Sequence, residues 1–209
     1  MLMHYQRQIV GYHGCLVERH EAALLHGTHP GASADPNDWL GQGIYFWEHG
    51  PRRALQWARA HAKRRGRPES DARVLGAVIQ LGTCFDLLDT QATDALAEAH
   101  SILEQTLRSE GQPVPLNRTP DSQHEAIANG DVLLRPLDCA VIELCIASAA
   151  ESPLGVDYQT VRGAFWEGGP AFEGSCVQKM SHIQISARDT SCILGYFNAV
   201  DPQDRNPTP

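Results

Sequence analysis

The spacing of apolar and polar positions divides the chain into short elements. Residues 8–15 (Gln-Ile-Val-Gly-Tyr-His-Gly-Cys) are rich in strand formers and predict a first strand. Residues 17–25 mix acidic and apolar positions at helical spacing, and Gly27 and Pro30 stop that helix. Residues 27–38 are turn formers throughout and predict a long surface loop, a kind of segment that often carries function. Residues 44–47 read as a buried strand entered through Gly41 and Gly43. Gly50-Pro51 then opens a helix, with proline where its missing N–H costs nothing. In that helix Ala54, Trp57, Ala58 and His61 share a face, and most of the arginines lie off it. The β-branched run 74–81 predicts a third strand. Residues 90–108 form an apolar stripe (Ala95, Leu96, Ala99, Ile102, Leu103, Leu107) and predict a helix ended by Gly111. Residues 111–130 predict an irregular excursion. Residues 137–147 suit a buried helix, with a strand as the alternative. Residues 163–174 read as a loop anchored by Phe165, Trp166 and Phe172. Residues 182–188 alternate and 192–197 are apolar, so a tight turn at Asp189-Thr190 predicts a terminal β-hairpin. A disordered tail is expected over 201–209. No internal repeat is visible, and the order of elements implies a mixed α+β domain over residues 1–200.

Composition sharpens this picture. The chain has 209 residues, 42% of them apolar, enough for one domain with a sizeable core. Its net charge of −8 argues against a protein whose affinity comes from neutralising phosphates. That average hides an asymmetry. Residues 52–67 hold Arg52, Arg53, Arg59, Lys63, Arg64, Arg65 and Arg67 with no acid among them. Of 17 basic residues, 10 remain elsewhere against 25 acidic ones, a balance of −15. The bland reading of the strip is a solvated helix face; the sharper one is an anion or nucleic-acid contact. No apolar run approaches the roughly 20 residues of a membrane span. The N-terminus lacks the apolar core of a secretory signal. The six cysteines, at 15, 84, 139, 145, 176 and 192, form no CxxC pair. Together these features predict a soluble cytoplasmic protein with reduced thiols, no membrane partner and core positions for Cys139, Cys145 and Cys192.

Two short motifs carry candidate chemistry. In Tyr12-His13-Gly14, a glycine follows a strand histidine. It lets a ligand approach the backbone closely, and one N–H with one C=O suits a flat carboxamide. Gly41-Gln42-Gly43-Ile44-Tyr45-Phe46 is neither a Rossmann fingerprint, since it precedes its strand, nor a P-loop. It reads either as a plain turn into a buried strand or as a tyrosine beside a glycine-lined slot where a planar ring stacks. His26 and His29, followed by Asp35 and Asp38, suit a turn with exposed histidines better than a metal site, so no metal is expected.

Tyr12-His13-Gly14, then a polar loop, then Asp38-Trp39-Leu40-Gly41-Gln42-Gly43-Ile44-Tyr45-Phe46, then Ala54-Leu55-Gln56-Trp57, together resemble the NAD-binding half of an ADP-ribosyltransferase. The likeness is to the H-Y branch that joins diphtheria toxin and the poly(ADP-ribose) polymerases, in a small bacterial form. It covers about residues 9–58 and, less firmly, 180–197. It implies an α+β fold of two small packed sheets forming an NAD cleft, with flanking helices and NAD as substrate. In that family the histidine binds the adenosine ribose, which implies the same for His13. Gly14 would hold the nicotinamide carboxamide, Tyr45 would stack on the ring, and Gly43 would line the slot. Trp57 matches the second stacking aromatic one residue late; otherwise it is a core residue of its helix face. The loop from Gly27 to Trp39 would cover the dinucleotide.

The family's third element, a glutamate on a late strand, corresponds here to Gln184. A glutamine orients a ribose hydroxyl but lacks the charge that steadies an oxocarbenium-like centre. This departure argues against chain elongation. Glu173 is a carboxylate able to swing in, unless it is only a surface loop residue. His182 matches an acceptor-orienting position, unless it merely faces solvent. The resemblance thus implies mono-ADP-ribosyl transfer to a macromolecular acceptor, protein or nucleic acid. Such a protein would act as a toxin or phage-defence effector with an inhibitory partner protein. A silent NAD-binding fold and an NAD glycohydrolase stay as alternatives. The basic strip favours a nucleic-acid acceptor and the acidic remainder counts against it.

Overall fold

The computed structural model describes residues 4–121 and 124–199. In chain order the elements are β1 (His4–Leu16), α1 (Val17–His26), β2 (Ile44–Glu48), α2 (Pro51–Arg64), β3 (Ala72–Asp86), α3 (Thr90–Ser109), α4 (His124–Asn129), α5 (Pro136–Glu151), β4 (Thr160–Phe165), β5 (His182–Ala187) and β6 (Ile193–Asn198). Local chemistry sets several ends. Gly27 closes α1 in the left-handed region at φ 63°. Pro51 opens α2, and Asp89 caps α3 by accepting from the Gln91 N–H.

All six strands belong to one mixed sheet in the order β1-β2-β5-β4-β3-β6, and β1 also pairs with β3. The sheet therefore closes on itself through β1, β2, β5, β4 and β3. One hydrogen-bonded sheet thus stands where two small packed sheets were expected. The long antiparallel β1–β3 ladder, His4↔Thr83 to Leu16↔Ala72, makes one seam. Three parallel rungs between β3 and β4 make another.

The enclosed side is filled by Ile9, Ile44, Phe46, Ala77, Ile79, Leu81 and Ile185. Gly11 is required there, because an added Cβ would lie 2.9 Å from both Ile79 and Phe46. The same alternation turns Glu48, Asp86 and Arg162 inward. Arg162 reaches Glu48 at 2.6 and 3.2 Å and Asp86 at 3.0 Å, with all three side chains nearly buried. Outside the sheet, α3 and α5 pack with Trp39, Leu40, Phe85, Val161 and Phe165 into a second core. Helix α2 lays Ala54, Ala58 and Ala62 toward β1 and β3.

Three further expectations change. Residues 182–188 and 192–197 do form strands, but β5 and β6 do not pair with each other. β5 lies between β2 and β4, whereas β6 pairs with β3. The backbone N–H groups of Arg188 and Asp189 both donate to the Gln159 carbonyl, which draws the connection toward β4. β4 replaces the first part of the loop expected over 163–174. The short helix α4 interrupts the excursion of 111–130. The tail at 201–209 lies outside the described residues.

Candidate functional site

β1 and β2 pair only at Gly11↔Glu48 and Tyr12↔Trp47, then part. Beyond that last rung the His13 side chain spans the gap, with Nδ1 2.8 Å from the Tyr45 carbonyl. A carbonyl only accepts, so Nδ1 carries the proton and Nε2 remains an acceptor. Burial lowers the pKa of His13, and the neighbouring positive fields of Arg19 and His61 act in the same direction. The ring is therefore neutral at pH 7. Gly14 follows. The Val10 carbonyl accepts from His49 on the β2 side. The two-residue repeat of a strand then aims the Gly14 N–H and C=O toward that side too, past the end of the ladder. Its missing side chain also has a packing cause: a Cβ would lie 2.3 Å from the Ala54 carbonyl of α2.

Tyr45 organises the loop before it. Its hydroxyl donates to the Gly41 carbonyl at 2.8 Å and accepts from the Leu40 N–H at 3.0 Å. Burial pushes the phenol pKa far up, so it stays neutral. Part of its ring packs on the outer core. Gly43 exchanges backbone hydrogen bonds with Ser33, at 2.8 and 3.1 Å. A Cβ on Gly43 would lie 2.2 Å from Ser186 Oγ. Glu143 accepts from the Gln42 N–H at 2.6 Å and pairs with Arg188 at 2.7 Å. The loop before β2 is thus held at its C-terminal end by α5 and β5.

The remaining candidates gather one step along β2, around Trp47. Gln184 is its cross-strand neighbour, and Gln184 Oε1 accepts from Trp39 Nε1 at 2.7 Å. Trp57 lies 6.0 Å from Trp47 and stacks on His61 at 4.8 Å. His182 lies 6.1 Å from Trp47 and stacks on Phe165 at 5.5 Å. Burial lowers its pKa to about 4, and its Nδ1 donates to the Met180 carbonyl at 2.7 Å. His182 is therefore a buried neutral acceptor, in place of the solvent-facing alternative.

Glu173 is exposed on the loop after β4 and joins none of these contacts. The carboxylate that does is Glu167, 5% exposed, ion-paired with Arg53 of α2 and 3.5 Å from His182 Nδ1. With His182 neutral, that last approach is proximity and not an ion pair. Three of the four buried side-chain polar atoms that lack a protein partner among the described residues converge here: Trp47 Nε1, Arg53 Nε and His182 Nε2. Buried polar groups are almost always satisfied, so this convergence marks a place that suits a polar ligand or ordered water.

Sequence reasoning missed Glu167, Trp47 and Trp39. Trp39 and Trp47 lie in or beside the Asp38–Phe46 motif but carried no assigned role, and Glu167 gains its meaning from Arg53, 114 residues away. His13 meets Tyr45 only at the Tyr45 backbone carbonyl, its ring lying against Phe46 while the Tyr45 ring packs on the outer core. Trp57, Gln184 and His182 are brought together through Trp47. Among the described residues no cluster of His, Cys, Asp or Glu suits a metal ion. No helix among them is long and apolar enough to cross a membrane. Comparison with family models, curated proteins and solved structures returned no match.

Proposed function

We propose that the protein is a mono-ADP-ribosyltransferase that breaks the nicotinamide–ribose bond of NAD and passes ADP-ribose to a macromolecular acceptor. The observation that carries the reading is His13 fixed through Nδ1 to the Tyr45 carbonyl, beside Gly14, where β1 and β2 part. On this reading His13 Nε2 accepts from a hydroxyl of the adenosine ribose. The Gly14 N–H and C=O hold the carboxamide. Tyr45, with Trp47 and Trp57 further along, would offer ring surface to the nicotinamide. The Gln184 amide, with Oε1 committed to Trp39, turns Nε2 toward a ribose hydroxyl.

The bond from C1′ to the nicotinamide nitrogen breaks heterolytically, and its electron pair leaves with neutral nicotinamide. The oxocarbenium-like centre takes the acceptor's nucleophile, whose proton goes to solvent. The site contributes positioning and electrostatics, with Glu167 as the nearby negative charge. A second reading, a fold that binds NAD without turning it over, is favoured by two features. Glu167 is already neutralised by Arg53, and Gln184 stands where a carboxylate would be stronger.

Incubation of the purified protein with nicotinamide-labelled and adenylate-labelled NAD, with and without cell extract, tests both. Nicotinamide release with label transfer supports transfer. Release alone indicates a glycohydrolase, and saturable binding without release indicates the silent fold. A folded sample that binds no NAD would end the assignment.

A further inference from the structure

Helix α2 carries no acidic residue, and its cations are sorted by face. The buried stripe is Ala54, Ala58 and Ala62. Away from it, Arg52, Arg59 and Lys63 recur at i, i+7 and i+11, so they form one exposed stripe about 16 Å long. Trp57 lies about 140° around the helix from this stripe, at the other edge of the exposed face. It is 36% exposed, with one face on His61 and the Arg64 guanidinium 5.9 Å away. Arg53 and Arg67 have acidic partners. Among the described residues, Arg52, Arg59, Lys63, Arg64 and Arg65 share no ion pair.

Uncompensated like charges four residues apart, as at Arg59 and Lys63, weaken an isolated helix. Here they accompany an exposed indole on a protein that is otherwise strongly acidic. A row of cations along one edge of the exposed face, with an accessible ring and Arg64 at its other edge, matches a phosphodiester backbone with unpaired bases laid across the helix. A duplex keeps its bases stacked away, and an acidic peptide leaves the ring unused. The same helix touches Gly14 through Ala54 and Glu167 through Arg53.

We infer that the outer face of α2 docks single-stranded nucleic acid and presents it to the cleft as the acceptor of ADP-ribose, an inference that rests on the NAD reading above. A ring nitrogen or hydroxyl of a nucleotide attacks C1′ of the nicotinamide ribose. Nicotinamide leaves with the bonding pair, and the nucleotide's proton passes to solvent.

The test separates docking from chemistry. Fluorescein-labelled single strands of RNA and of DNA, and the same DNA as a duplex, are titrated with the whole protein by anisotropy, without NAD. The three stripe contacts predict an affinity loss of about 20-fold between 50 and 200 mM salt. The charge reversal R52E/R59E/K63E is expected to weaken single-strand binding at least tenfold while leaving NAD binding unchanged. Adding labelled NAD should then mark the oligonucleotide, and the RNA and DNA arms say which sugar is used. No single-strand binding, binding indifferent to the triple reversal, or equal affinity for duplex overturns the docking surface. Label on extract protein with bare oligonucleotides overturns the acceptor and leaves the NAD reading intact. Docking without any nicotinamide release overturns the NAD reading and the acceptor role together, and keeps only the surface.

Discussion

Glu167 and Glu173 lie on one loop and differ in what decides a carboxylate's effect. Glu173 is in water, where its field is screened within about 10 Å. Glu167 is buried beside His182 and held by Arg53, where a charge acts through a lower dielectric. On the proposed chemistry, Glu167→Gln should lower nicotinamide release by about 100-fold. Glu173→Gln should leave it within about twofold. Gln184→Glu keeps an oxygen for the Trp39 indole and adds charge, so release should rise. Chromatographic assay of nicotinamide, with melting temperature recorded for each variant, decides the order; equal losses at 167 and 173 would sink it. His182 has a second consequence. Its folded pKa of about 4 lies below the ordinary 6.5, so the unfolded chain binds the extra proton first. Stability from this site is full above pH 6.5 and falls as pH drops toward 4, by about 2 kcal/mol at pH 5. Urea titrations at pH 7 and pH 5 should show a smaller loss in His182→Gln than in the parent. At this scale His13 and Tyr45 were legible because each sits in a compact motif. Glu167 was not, because nothing near it in sequence announces a partner on α2.

Helices were the most legible elements, since α1, α2 and α3 each repeat their apolar positions at helical spacing. β4 was hidden by Arg162 at the centre of Thr-Val-Arg-Gly-Ala-Phe, which breaks the expected alternation of apolar and polar faces. The false hairpin has the opposite cause. β5 and β6 are close in sequence, but β2, β3 and β4 offer longer-range edges that outcompete the local pairing. The packing of α2 on β1 gives a direct test of element-level fit. A methyl group at Gly14 would meet the Ala54 carbonyl, a backbone atom that moves only if the helix moves. Gly14→Ala should therefore cost about 1–3 kcal/mol. Gly195→Ala on β6, where a Cβ meets nothing within 4 Å, should stay within about 0.5 kcal/mol. The difference in urea midpoints reads the tightness of the α2–β1 contact, and equal costs would remove the packing explanation for Gly14.

Closure of the sheet was not legible at all, because it depends on pairings such as Gln8↔Gln80 and Phe165↔His182 that no local pattern encodes. The same closure explains why three charges sit inside. Glu48 on β2, Asp86 on β3 and Arg162 on β4 come from three strands of the run β2-β5-β4-β3 and meet on its enclosed face. Arg162→Met would leave two carboxylates facing each other with Arg7, 3.6 Å from Glu48 and largely exposed, as the remaining cation. Removing one partner of such a buried network typically costs about 3–5 kcal/mol, most of it the desolvation of the charges left behind. That loss should appear as a lower urea midpoint. The compensated variant Glu48→Gln/Asp86→Asn/Arg162→Met removes every formal charge of the triad and should recover much of the stability. If it recovers stability but also broadens the transition or loses cooperativity, the triad specifies which strands close the ring. If it stays as unstable as Arg162→Met alone, the cost lies in lost packing around the Arg162 stem, and the charges contribute little.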